Sequence, residues 1–252
     1  MYKRISAWMF DAIILVTFIV GIAALLSLAF GYDAKMERME EIYSECKEKY
    51  EEKYKVDLDL DGESYDKLSE KEKENYNKAL DEANAEIKES VELRYLTDWM
   101  FSVALLIVIF SILIGFAALE FVVPLIFKNG QTLGKKIFGI AVMREDGVRI
   151  TPMVLFVRSI LGKYTIETMV PIFMVYLILF AGAGLFGTIA LIMIFAFQLG
   201  LLIKTKTNSA IHDILSYTVT VDLASQMIFD TKDDLIAYKN KVHAEATDKQ
   251  DY

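Results

Sequence analysis

An arginine and an aspartate open the chain in an otherwise apolar run. In "RISAWMFDAIILV", residues 4–16, Arg4 and Asp11 are seven residues apart. That is about two helical turns, roughly 10.5 Å, so both side chains leave nearly the same face of one helix. Glu120 and Gln198 are likewise single polar residues in long apolar stretches, and "IHDILSYTVTV" carries adjacent His212 and Asp213. Carboxylates held in apolar surroundings do not all stay ionised without compensation: a proton, a cation or an arginine must restore neutrality. That is the chemistry of ion and proton binding. Asp11, Glu120 and Gln198 are therefore candidate ion-, proton- or ligand-binding residues, and Arg4, His212 and Asp213 a candidate electrostatic latch. Structural roles compete with each. Arg4 paired with Asp11 or Asp213 would fix helix register, Glu120 as a neutral acid would bond across helices, and Gln198 would be interhelical glue.

The remaining composition excludes several other chemistries. Cys46 is the only cysteine, and His212 and His243 are the only histidines. No internal disulfide, metal centre or cofactor is expected, and no nucleophile accompanies His212, so the chain does not read as an enzyme. Between residues 31 and 97 there are 21 Asp/Glu against 12 Lys/Arg, more than the whole net charge of -8. With no large basic surface left for phosphates, nucleic acid is not an expected partner.

The elements that must position these residues are membrane spans. A hydrocarbon core of about 30 Å takes roughly 20 apolar residues as helix, because lipid offers no partner to an open backbone. Three stretches reach that length: Ala7–Phe30, Met100–Phe127 and the uncharged Thr168–Ile203. The third would make a helix of about 54 Å, so it divides best into two spans at "AGAGLFG", residues 181–187. Four crossings place the N-terminus, residues 128–167 and the C-terminus on one side. Their cations (Lys3, Arg4, Lys128, Lys135, Lys136, Arg144, Arg149, Arg158, Lys163, Lys204 and Lys206) make that side cytoplasmic. The aspartate and the length of the first apolar run argue against a cleaved leader. Counted from the flanking charges, Asp11, Glu120 and Gln198 fall at one depth, about 10 to 12 Å inside the cytoplasmic boundary for the two acids.

Outside the spans, Met36, Met39, Tyr43, Cys46, Tyr50 and Tyr54 recur every three or four residues, as do Tyr76, Leu80, Ala83, Ile87 and Val91. Each row is the stripe of a helix, and "DLDLDGES" at 57–64 supplies the turn of an antiparallel hairpin. Its acids read as turn formers, since Leu68 stands where a calcium loop needs its bidentate glutamate. "GIAVMREDGVRI" reads as a β-hairpin about Asp146-Gly147, "YTVTVD" as a third strand and "PMVLFVRSILGKY" as an interfacial helix. "KNGQTLGKKIFGIAV" lacks the spacing of a Walker loop, and Thr231 with Asp234 opens a short surface helix before a loose end.

Arg4, Asp11, "GQTLGKKIFGIAV" after the second span and "IHDILSYTVTV" with Asp213 together resemble the RDD family of membrane proteins, named for one arginine and two aspartates. The resemblance covers residues 1–30 and about 98–222, and leaves out the acidic hairpin and the tail. It implies a multi-pass membrane protein that transports a small ligand, cation/proton exchange being one form.

The expected fold is therefore an all-α membrane protein, a four-transmembrane-helix bundle with an extracytoplasmic antiparallel helical hairpin and a small cytoplasmic β-hairpin and interfacial-helix region. Its segments are 1–30, 31–97, 98–127, 128–167, 168–203 and 204–252. The expected activity is transport of a small cation or other small solute by a homo-oligomer in the lipid bilayer of the cell membrane. The alternative is a scaffold or sensor that binds a partner through the hairpin.

Overall fold

The computed structural model of the protein describes residues 2–205 and 207–248; Met1, Lys206 and residues 249–252 lie outside it. Among the described residues four helices are long and apolar enough to cross a membrane: Tyr2–Phe30, Val91–Phe127, Pro152–Phe180 and Gly184–Lys204. With one two-stranded sheet beside them, this is an all-α membrane fold. The chain divides into two compact units, Met1–Ile22 with Ile112–Tyr252, and Ala23–Ser111.

In the second unit, α2 (Tyr32–Tyr54) and α4 (Glu70–Glu89) are joined through the short α3 (Gly62–Asp66). They pair in antiparallel register, Lys49 with Glu86 and Lys53 with Glu82, each at 2.5 Å. Between them lie Cys46, Tyr50, Ala79 and Ala83, with Tyr54 and Ile87 beside them. Several stripe residues do not join this core: Met36, Tyr43, Leu80 and Val91 are exposed. At the turn, Asp61 caps α3 through Ser64 N–H, and Asp57 accepts from Asp59 N–H, so both acids serve the backbone. α5 (Val91–Gly115) buries Leu93, Leu96, Met100, Val103 and Ile107, the three- and four-residue alternation of a packed helical seam.

The first unit starts from α1 (Tyr2–Phe30), a helix apolar on nearly every side, a pattern suited to lipid and costly in water. The second span changes winding part-way: Phe116–Val122 is π-helical before α6 (Val123–Phe127). Pro124 gives the reason. In an α-helix its ring would strike the carbonyl of Glu120, four residues back, and it has no N–H to bond there. Winding with i→i+5 bonds avoids the collision and leaves that carbonyl free. The same happens before Pro171, where Val157–Met169 is π-helical between α8 (Pro152–Phe156) and α9 (Val170–Phe180).

Here the structure departs from the sequence reading. "PMVLFVRSILGKY" is not a separate interfacial helix: it is the first half of a helix that runs unbroken to Phe180. Thr151 caps it, Pro152 occupies its first position, Pro171 is accommodated by the π winding before it, and the chain leaves the helix only near Gly182. Its charges reside within the helix because each finds a buried partner, described below. The break before α10 (Gly184–Lys204) falls at 181–183, with Gly182 at φ +69° and Ala183 N–H bonded to Leu177 O. At Gly187 a Cβ would stand 2.7 Å from Ile178, so glycine lets α9 and α10 close on each other.

The sheet also differs from the expected hairpin. β1 (Ile140–Arg144) pairs antiparallel with β2 (Thr218–Asp222), from Ile140↔Asp222 to Arg144↔Thr218. The Asp146-Gly147 turn forms, with Arg144 N–H on Val148 O at 2.9 Å, but the returning run makes one bridge to β1, Met143↔Arg149. That run is short because the Thr151 cap and Pro152 begin a helix directly after it, and its other edge is held by Phe229. α7 (Leu133–Ile137) precedes β1, and α11 (Ile211–Leu215) precedes β2. α12 (Lys232–Asp248) opens on reciprocal Thr231–Asp234 bonds and continues through the segment read as loose, up to Asp248.

Candidate functional site

The polar residues of the first unit form one connected layer built from α1, α7, the two π-helical segments and α11. Asp11 is bound at the start of α7. Its carboxylate accepts from the Thr132 hydroxyl and, at 2.7 Å, from Gly134 N–H. Thr132 is also the cap of α7, and Gln131 donates to Ile140 O at 2.8 Å. The stretch "GQTLGKK" is thus shaped around Asp11. Glycine is required at 134, where a Cβ would lie 2.5 Å from Ala7 O and 3.0 Å from Asp11 Cγ.

Glu120 is 8% exposed and is gripped twice by the third span. Lys163 Nζ reaches Glu120 Oε2 at 2.5 Å, and the Ser159 hydroxyl donates at 2.6 Å to the Glu120 carbonyl that Pro124 leaves free. On the same face of that helix Arg158 pairs with Asp213 and donates to Thr218 Oγ1, while Glu167 accepts from His212 N–H at 2.9 Å and lies 2.8 Å from His212 Nδ1. His212 Nε2 in turn stands 3.6 Å from Asp213. α11 comes this close because residue 162 is glycine: a Cβ there would be 2.6 Å from His212 Cβ.

The latch is therefore differently wired from the sequence reading. Arg4 pairs with neither Asp11 nor Asp213; its guanidinium donates to Thr207 O at 2.9 Å and Thr220 O at 2.7 Å, while neighbouring Lys3 pairs with Asp222. Arg158 is the partner of Asp213. Gln198 does not join the layer and has no hydrogen-bond partner among the described residues; it sits half-buried on α10. Asp11 and Glu120 do meet: with Ile14, Leu15, Leu119, Thr132 and Leu133 they line one cavity of about 10 Å³, at the lower limit for a single water.

Lys163, Arg158 and Glu167 were not legible as site residues at the α-helical period. Residues 158 and 163 fall about 140° apart at 3.6 residues per turn, whereas i→i+5 winding brings them to one side. A signal did exist: "EFVVP" at 120–124 and "ETMVP" at 167–171 place both glutamates four residues before a proline.

Outside the spans, the surroundings set the charge states. Burial alone would raise the Asp213 carboxyl, but Arg158 and His212 hold it well below the usual range. Burial, then Arg158, lowers His212 against the opposing pull of Glu167 and Asp213, so it is neutral at pH 7. Burial, then Lys163, pushes Lys135 down to about 7. The next residue escapes this: Lys136 is exposed, its ammonium 3.7 Å from the centre of the Phe127 ring.

A family model described as the RDD family matches residues 1–217. The chain belongs to the RDD family. No curated protein and no solved structure matches it. In this RDD protein Arg4, Asp11 and Asp213 do not form a triad. Each anchors a different junction: α1 to the strand segment, α1 to α7, and α11 to the third span.

Proposed function

We propose that the protein exchanges a small cation for protons, with the cavity between Asp11 and Glu120 as the ion's place. The observation that carries this reading is that two carboxylates from different membrane helices border one small space. A pocket of about 10 Å³ admits a dehydrated monatomic ion and excludes larger solutes. An ion entering it would compete with Lys163 for Glu120, which is how a built-in ammonium serves as the resting counter-ion. Positive residues at one end of the layer support a cytoplasmic position for that end. α1 and α10 have little or none of their apolar windows buried within one chain, which leaves room for further copies in a homo-oligomer.

The test is flux in sealed proteoliposomes carrying an internal pH dye. Addition of sodium, lithium or potassium chloride should move protons in the wild type and not in Asp11→Asn. No response to any of these ions would end the reading. A second reading has its own support: every carboxylate of the layer already has a partner, as a purely structural clamp would. The protein would then be a scaffold or sensor presenting the α2–α4 hairpin to a partner, and it would bind no ion.

A further inference from the structure

Charge counting around the cavity singles out one residue. The layer holds four carboxylates (Asp11, Glu120, Glu167 and Asp213) and four cations (Arg4, Lys135, Arg158 and Lys163), with His212 neutral. It is balanced only while all eight are ionised. A monovalent cation placed between Asp11 and Glu120 adds a ninth charge, and in a weakly solvated layer that excess must be shed.

Each group but one has its side chain engaged by a partner in the structure. Asp11 receives two donors and Glu120 an ammonium. Lys163 is already engaged by Glu120 at 2.5 Å. The guanidinium groups of Arg4 and Arg158 do not deprotonate. His212 is already neutral and faces Glu167 and Asp213. Lys135 is left: it is half-buried on α7, one residue after the backbone that binds Asp11, and no carboxylate of the described residues is within ion-pairing distance of its ammonium. The charges that act on it are Lys163 and Arg158 from the third span, Glu120 from the second and Asp11 from α1.

We propose that Lys135 carries the exchanged proton: a monovalent cation entering beside Asp11 and Glu120 turns the Lys135 ammonium into a neutral amine. One N–H bond breaks, the electron pair stays on Nζ and the proton passes to water, so the exchange is one for one and moves no net charge. This rests on the transport reading above and adds the identity of the proton group. The lowering of Lys135 to about 7 means that the proton is exchangeable near neutral pH, and that more acidic solution favours the charged form and opposes ion entry.

The experiment uses purified full-length protein in detergent, weakly buffered at pH 7, with sodium chloride as probe and choline chloride as control. Bound sodium is counted with a radioactive tracer and released protons with a dye. The wild type should release about half a proton per bound ion at pH 7, where Lys135 is half-protonated before the ion arrives, and close to one at pH 6. Lys135→Met should bind sodium and release none, and its binding should not change between pH 6 and pH 8. Lys135→Arg, permanently charged, should lose binding. Proton release from Lys135→Met at the wild-type level would overturn the assignment while leaving the ion site standing; absence of sodium binding to the wild type would remove both. Should the variants fail to fold, trace acetylation of the wild type decides: sodium must speed modification of Lys135 relative to Lys136, and an unchanged ratio refutes the proposal.

Discussion

At Gly134 a missing side chain matters as much as any charge. Its N–H bonds Asp11, and the space of its absent Cβ is taken by Ala7 O. The neighbouring Lys135 shows the opposite case, a charge retained at a cost to folding. Its proton affinity is lowered from 10.5 to about 7 by burial and by Lys163. Below pH 7 it is charged in both the folded and the unfolded chain, and the cost of burying it is paid in full. Between pH 7 and 10.5 the unfolded chain binds more protons, so stability rises with pH across that window. Lys135→Met should therefore melt above the wild type at pH 6, with the difference shrinking towards pH 10; an equal difference at both pH values would contradict the lowered affinity. Asp11 and Glu120 were legible in the sequence because a charge in an apolar run has few explanations. Arg158, Lys163 and Glu167 were not, because they stand close to a polar loop and read equally well as its surface.

Among the elements, the two π-helical segments do the positioning. Pro124 frees the Glu120 carbonyl, and Ser159 takes it up from the other segment at 2.6 Å. Replacing Pro124 with alanine returns an N–H that can bond Glu120 O in the α pattern, so Ser159 would lose its acceptor. Ser159→Ala should then cost about 1 kcal/mol in the wild type and close to nothing in the Pro124→Ala background, measured by denaturant unfolding in micelles. Equal costs in both backgrounds would separate the proline from the bond. The four apolar helices were visible from length alone, as was the break near Gly182. The start of the third span was not: helix continuity through Arg158 and Lys163 depends on Asp213 and Glu120, which are remote in sequence. The β-hairpin expected at Asp146-Gly147 was displaced for a local reason, the helix that begins at Pro152.

For the molecule as a whole, sidedness is the property most open to direct measurement. By the distribution of lysine and arginine, the α2–α4 hairpin is expected on the outer side. Cys46 is a poor reporter of this, since it is buried against Ala79 and Ala83 and burial pushes its thiol pKa up. Ser44, two residues before Cys46 and so on the opposite face of α2, is exposed. In a Cys46→Ser background, Ser44→Cys should react with a membrane-impermeant maleimide on intact cells. Reaction only after lysis would invert the topology, and with it the proposed cytoplasmic position of the ion layer.

The partners of the third span also impose an order on biosynthesis. Glu120, the counter-ion of Lys163, is made 43 residues earlier, whereas Asp213 follows Arg158 by 55 residues and His212 follows Glu167 by 45. When residues 152–180 leave the ribosome, the counter-ion of Lys163 already exists, whereas the counter-ion of Arg158 and the imidazole that bonds Glu167 have yet to be made. The polar face of this helix is therefore completed from downstream, once residues 212 and 213 have been translated.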